Sequence, residues 1–314
     1  MEQYRAAPLS ALGGRPTPAA LHFLRSHFPY PEVGEWSVEV AGAVDRPRAF
    51  TVDDLRRFEQ RTEIVVLECA GHRRTELSPP VEGLPWGVGA VSQATWSGPA
   101  LARVLEQVGP TPEATQVVFS GADGDGEFAR AISLDKVRDE ATMLALTIDG
   151  QTIPVELGGP LRAIVPGHYA VDSVKWVRRI EVVTEPFRGH FQSEDYCLFE
   201  ADGVPDGAEL HELPVTSLVT GTERTRVAGV AWGGEVARVD VQVDDGPWVE
   251  AALGEALGPF AFTPWELEVH LAPGSHTAAA RATDSAENTQ PERPLWNSRG
   301  YANNAVHRVP FDLD

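Results

Sequence analysis

Cysteine is nearly absent from this chain: Cys69 and Cys197 are the only two among 314 residues. Two cysteines cannot form the disulfide framework of small secreted domains. A chain of this length also buries a sufficient core without staples. Positive charge is scarce too, with 26 Lys and Arg against 46 Asp and Glu, a formal net charge of −20. Nucleic-acid binding needs a basic face that displaces counterions from phosphate. Nucleic acid and anionic membrane surfaces are therefore not expected partners, although a local basic pocket inside an acidic shell stays open. No run approaches the ~20 apolar residues of a membrane span. Met1–Leu24 is interrupted by Pro8, Gly13, Gly14, Pro16 and Pro18 and has no apolar signal core. The expected location is the cytoplasm, or the periplasm if a leader has been removed.

Several familiar motifs are also missing. Asp123-Gly-Asp-Gly126 begins like a calcium loop, but Phe128 stands where an EF-hand needs glycine. There is no G-x-x-x-x-G-K phosphate loop and no G-x-S-x-G elbow, and Gly87-Val-Gly89 lacks the third glycine of a dinucleotide turn. Cys69-x-x-His72 offers two zinc ligands where a structural site wants four.

What is present reads as two domains, in line with ~100–200 residues per domain. Residues 1–205 mix strand and helix patterns. Trp36–Val40 alternates, Thr51-Val-Asp-Asp54 is a capping box, and Ile64–Cys69 is a β-branched apolar run ending at Ala70-Gly71. Leu101, Val104, Leu105 and Val108 have helical spacing, with Pro99 near the first turn. Val117–Phe119, Met143–Ile148, Leu161–Val165 and Val174–Val183 read as strands, and Asp149-Gly150 as a hairpin turn. Gly203–Gly207 reads as a linker. Residues 206–314 are almost entirely short alternating strands broken by turns such as Asp244-Asp245-Gly246 and Pro273-Gly274, the pattern of an immunoglobulin-like sandwich.

The chemistry concentrates in Glu68-Cys-Ala-Gly-His-Arg-Arg74. A buried cysteine is more often a core thiol than a ligand. Cys69, however, lies at the mouth of its strand, and neighbouring cations would favour the thiolate. A soft-metal ligand or a reactive thiol is the sharper reading.

Six motifs in order carry a resemblance to the sulfite oxidase family of molybdopterin enzymes. They are Phe23-Leu-Arg-Ser-His27, Glu68–Arg74, Gly83-Leu-Pro-Trp86, Gly158-Gly-Pro-Leu-Arg162, Ser173-Val-Lys-Trp176 and Asp195-Tyr196. The tail, with Trp296-Asn-Ser-Arg-Gly300, Asn304 and His307-Arg308, resembles the end of that family's second domain. The resemblance implies an α+β fold: a sulfite-oxidase-type molybdopterin domain, then an immunoglobulin-like all-β sandwich that mediates homodimerisation. It implies a molybdenum cofactor ligated by Cys69. Phe23, Arg25, His27, Asp123, Arg162, Ser173, Lys175 and Arg179 would surround the pterin and its phosphate. Arg25, Arg74, Trp86 and Tyr196 would form an oxyanion pocket for sulfite.

The implied reaction is oxidation of sulfite to sulfate by oxo transfer, with electrons leaving to an external acceptor such as a cytochrome. No haem attachment motif is present. Departures from the family pattern are Thr263 near the position of a further substrate arginine, Leu157 for a histidine, His72 for an asparagine and Glu82 for a lysine. Thr263 motivates one alternative, sulfoxide or nitrate reduction on the same cofactor; a second is a binding protein that has lost the cofactor, against which Cys69, Arg162 and Lys175 argue.

Overall fold

The computed structural model describes residues 3–314. Two larger sheets build most of the first part, beside three two-stranded pairs. One has the order Arg48–Thr51, Ser37–Gly42, Val177–Val183, Gln116–Gly121, Ala129–Ser133. The other runs Gln151–Thr152, Thr147–Ile148, Val91–Pro99, Gln60–Glu68. Local chemistry explains the shorter elements. Thr51 accepts the Asp54 N–H while the Asp54 side chain accepts from the Thr51 N–H, and this reciprocal box opens the helix Val52–Arg56. The helix Leu101–Glu106 buries Leu101, Val104 and Leu105 on one face, while Pro99 ends the preceding strand. Asp149 and Gly150, both at positive φ, make the tight turn between Ile148 and Gln151.

Three expected elements differ in detail. Met143–Ile148 divides: Met143–Ala145 pairs with Arg162–Ile164, and Thr147–Ile148 pairs with Val91–Pro99. The strand expected from Val174 begins only at Val177, because Trp176 has φ 51° and breaks the extended run. Residues 203–207 are no free linker, since Cys197–Leu198 pairs antiparallel with Ala208–Glu209 on either side of them.

The second part is a sandwich of two four-stranded sheets. One is Thr216–Glu223, Arg226–Trp232, Thr263–Glu268 and Ala252–Leu253; the other is Val236–Val243 with Val249–Glu250, Gly274–Asp284 and His307–Leu313. Strand alternation buries the first sheet on both faces. Val219 and Val227 enter the sandwich core, while Leu218, Val230 and Trp232 join Val65, Val66 and Leu67 of the first part in one continuous core. Polar bonds fix this junction. The Trp232 indole N–H donates to Glu68 Oε2 at 2.7 Å, and the Phe262 N–H donates to Gln93 Oε1 at 2.8 Å. The other Glu68 oxygen meets His72 Nδ1 at 2.8 Å.

The strand that delivers Cys69 is thus bolted to the second domain. Trp232→Phe removes the indole donor and part of the buried ring volume, and leaving the Glu68 carboxylate one donor short should by itself cost about 1–3 kcal/mol. Urea unfolding at neutral pH measures this, and unchanged stability would contradict the junction's role.

Candidate functional site

Cys69 follows directly on the strand Gln60–Glu68 and is held by its own N–H to the Ala90 carbonyl at 2.9 Å. It stands where two cavities meet. The inner one is bordered by Phe23, Arg25, His27, Cys69, Asp123, Arg162, Ser173 and Lys175. The outer one is bordered by Arg25, His27, Cys69, Arg74, Trp86 and Tyr196. The structure therefore brings eleven of the twelve nominated residues to one connected site.

Arg179 is the exception. It is exposed on the strand Val177–Val183 and pairs with Glu39 and Glu181, each at 3.3 Å. A bulge between Val177 and Arg179 shifts the register there, and Arg179 lies outside both cavities. It is removed from the cofactor-binding set.

The inner cavity gathers positive charge without an ion pair to neutralise it. Arg162 donates only to the carbonyls of Leu157 (2.9 Å) and Ser173 (3.2 Å) and lies over the Trp96 ring. Burial pulls its guanidinium down to about 9. Lys175 donates to Ser26 Oγ and lies 4.4 Å from the Trp176 ring centroid. Burial and then Arg162 hold its ammonium well below the ordinary lysine range. Opposite them, Asp123 Oδ1 is buried without a partner, and burial raises its carboxyl to about 6. Ser173 Oγ accepts the Val165 N–H.

At the boundary, Arg25 Nη2 donates to His27 Nδ1 at 2.9 Å, and His27 Nε2 lies 2.8 Å from the Tyr196 hydroxyl oxygen. Arginine only donates, so Nδ1 must accept. Burial, then Arg25, lowers His27 to about 3, so the ring is neutral and its Nε2–H donates to Tyr196. The Tyr196 hydroxyl proton is left free to donate to a ligand.

In the outer cavity Arg74 is buried and donates to the carbonyls of Leu84 (3.1 Å) and Gly300 (3.3 Å), with its guanidinium over the Tyr301 ring. Glycine is required around it. A Cβ at Gly83 or Gly300, both at positive φ, would come within 2.6 and 2.9 Å of the Arg74 side chain. Arg73 points away and forms an ion pair with Glu76 at 2.6 Å. Trp86 is buried edge-on against Phe23.

The flanking arginines do not make Cys69 a thiolate in the metal-free chain. Burial pushes the thiol up and outweighs the opposing Gly71 N–H, Arg74 and Arg25. Such a sulfur ionises when a metal takes the proton's place. The donor set fits a metal-bearing anionic cofactor: one thiol at the junction, buried cations behind it, and an unpartnered buried carboxylate able to accept N–H donors.

Three lining residues escaped the sequence reading. His22 enters the inner wall, lowered to about 3 by burial and Arg162, with both ring nitrogens bonded to Ser92 and Gln93. A histidine thus lines this cavity although Leu157 also borders it. Tyr301 and Arg299 reach the outer cavity from the C-terminal tail. Tyr301 stacks on Tyr196 at 5.3 Å, and Arg299 donates to the Glu194 carbonyl at 2.8 Å. Thr263 is instead a strand residue opposite Ala231, outside both cavities. The sequence signal for Arg299 lies in the tail motif Trp296–Gly300.

The chain is similar to known molybdenum proteins over most of its length. A family model described as the oxidoreductase molybdopterin binding domain matches residues 27–191, and one described as the Mo-co oxidoreductase dimerisation domain matches residues 211–313. Mitochondrial sulfite oxidase of Rattus norvegicus is 34% identical over 331 residues, covering 93% of this chain and 61% of that protein. Nitrate reductase [NADH] 1 of Phaseolus vulgaris is 30% identical, covering 95% of this chain and 40% of that protein. The chain thus spans about three fifths of the rat protein's length. The crystal structure of the sulfane dehydrogenase SoxCD from Paracoccus pantotrophus superposes with a TM-score of 0.88 at 26% identity, covering 98% of this chain and 84% of that one.

Asp123 gives the site a pH signature. Its folded value near 6 lies above the ordinary 3.8, so in the ligand-free protein its burial costs stability above pH 6 and nothing below pH 4. Asp123→Asn should therefore stabilise the ligand-free protein at pH 8 by on the order of 2 kcal/mol. The gain should vanish as pH falls through 6 towards 4. Thermal unfolding across that range checks this, and a pH-independent gain would contradict it.

Proposed function

The chain belongs to the molybdopterin-dependent oxidoreductases of the sulfite oxidase family, and from that premise we propose that it oxidises sulfite to sulfate and passes the electrons to an external acceptor such as a cytochrome. One observation carries the reading. Arg25, Arg74, Arg162 and Lys175 line the joined cavities, and among the described residues none of them has a carboxylate within ion-pair distance. Cations buried with only neutral acceptors are costly, and bound anions remove that cost.

Two anions are needed because the cations fall into two groups. Arg162 and Lys175 sit in the inner cavity with Asp123, where they would take the phosphate and the polar edge of the pterin. Cys69 would hold the molybdenum as a thiolate. When bound, this cofactor supplies oxygen-atom exchange and takes up the substrate's electron pair.

The chain's own contribution is binding and orientation. Arg25 and Arg74 approach the outer cavity from different segments and are held there by main-chain carbonyls. Together with the more exposed Arg299 they would hold the oxygens of a compact oxyanion. The Tyr196 O–H supplies one further donor, oriented by His27. Trp86 and Tyr301 wall the pocket against water. With Arg299 at the mouth, Thr263 gives no reason to prefer a different substrate. The dimerisation-domain match supports a C2 homodimer through the second domain.

Sulfite turnover with ferricyanide or cytochrome c as acceptor tests the proposal. Cys69→Ser should lose turnover. Arg74→Gln should raise KM for sulfite roughly 10- to 100-fold, the value of one charged hydrogen-bonding group, with pterin content unchanged. Fast reduction of nitrate or methionine sulfoxide by a protein inert to sulfite would overturn the choice of substrate. Purification free of metal from cells that make molybdopterin would overturn the whole reading.

A further inference from the structure

Beside the mouth lies a buried polar node that the proposed reaction does not use. Asp172 is fully buried and takes three side-chain donors. Arg130 Nε donates to Oδ1 at 2.8 Å; on Oδ2, His168 Nδ1 donates at 2.8 Å and His211 Nδ1 at 2.7 Å. His211 Nε2 faces Glu209 Oε2 at 3.3 Å. The Gln192 amide nitrogen is also 3.3 Å from Nε2 but donates to Glu209 Oε2 at 2.6 Å, and a carboxylate only accepts, so the ring meets a carboxylate on each nitrogen as an imidazolium. The ligand-type atoms of His168, Asp172 and His211 all lie within 4.8 Å of one another. Their 2.7 and 2.8 Å contacts are nevertheless hydrogen-bond lengths, and Arg130 already balances the carboxylate.

The segment held by this node is the one that supports Tyr196. The Leu210 N–H donates to the Tyr196 carbonyl at 3.1 Å, and Ala208–Glu209 pairs with Cys197–Leu198. Arg130 binds the same region from behind, donating to the carbonyls of Leu210 (2.7 Å) and Phe191 (2.6 Å). His211 closes the unit, because its side chain joins Asp172, next to the cavity residue Ser173, to Glu209 in the supporting strand.

We propose that His211 is a positioning residue: as an imidazolium clamped between Asp172 and Glu209 it fixes the strand behind Tyr196, and substrate binding weakens when the ring loses its proton. The inference rests on the reading of Tyr196 as a substrate contact. The groups facing the ring are Asp172, Glu209 and Arg130, with the Gln192 amide 3.3 Å from Nε2 and the His168 ring 5.6 Å away. Burial opposes the charge, but the hydrogen bond and charge of Asp172, aided by Glu209, outweigh both burial and Arg130 and hold His211 above the ordinary histidine value. The clamp is therefore complete below that ordinary value and is lost as pH rises through the raised one.

The test uses holoenzyme carrying labelled histidine and tyrosine, followed by NMR across pH. His211, assigned by its loss in His211→Gln, should titrate above about 6.5. The Tyr196 signals should move with the same midpoint, and KM for sulfite should rise several-fold over that range while kcat holds. In His211→Gln, KM should be raised already at low pH and flat through the range. Should that variant fold poorly, Glu209→Gln should lower the midpoint and carry the KM rise with it. A midpoint at or below the ordinary value, Tyr196 signals that ignore it, or an unaltered KM profile in the variants would each overturn the clamp. If Tyr196 follows His211 in a protein that does not turn over sulfite, the clamp stands and the substrate reading falls.

Discussion

Positive charge held at the two cavities, half-buried or buried and without an ion-paired carboxylate, is the constraint on which the candidate site depends. The chain is strongly acidic, at a net −20, yet among the described residues no carboxylate forms an ion pair with Arg25, Arg74, Arg162 or Lys175, although Asp123 and Glu156 line the inner cavity and Glu82 and Asp195 the outer. Elsewhere its buried arginines are paired in the ordinary way, Arg130 with Asp172 and Arg73 with Glu76. At the cavities the guanidinium and ammonium groups rest on main-chain carbonyls, a serine hydroxyl, a neutral histidine and aromatic faces. Such contacts orient a cation without neutralising it, so its charge stays available to a bound anion. The glycines packed against Arg74 follow from the same requirement, since a side chain there would displace it.

Precision at the site comes from joining two domains rather than from either alone. Cys69 belongs to the first, but the strand leading to it shares a core with Trp232 and Phe262 of the second and bonds to Trp232 and Phe260. The tail returns Arg299, Gly300 and Tyr301 to the mouth. The Ala302 N–H then donates to the Ala70 carbonyl at 2.9 Å, beside the cysteine. The turn that carries Cys69 and the arginine-lined outer cavity are therefore set by one junction. This matters because a misplacement of about 1 Å at a reacting centre is enough to lose much of the rate.

Much of this was legible in the sequence because contiguous residues carried it. Glu68–Arg74 places a thiol, a turn and the pocket arginine within seven positions. Alternation in the last third likewise betrays the sandwich. What stayed hidden depended on geometry that spacing does not encode. His22 reaches the inner wall through a segment of little regular structure, and Arg299 crosses from the far end of the chain. Arg179 was misplaced because the left-handed Trp176 and the adjacent bulge uncouple it from Lys175, four residues earlier. The ionisation of Cys69 was misjudged for another reason: burial outweighed charges that a linear reading counts first.

X-ray absorption at the molybdenum edge of the purified holoprotein tests the central claim most directly, because it reports the ligands of the metal without assuming a substrate. The account predicts a sulfur scatterer that disappears in Cys69→Ser and is replaced by oxygen, while the sulfur contribution of the pterin remains. An unchanged sulfur count in that variant, or a wild-type protein whose cavity takes up no molybdenum, would contradict it.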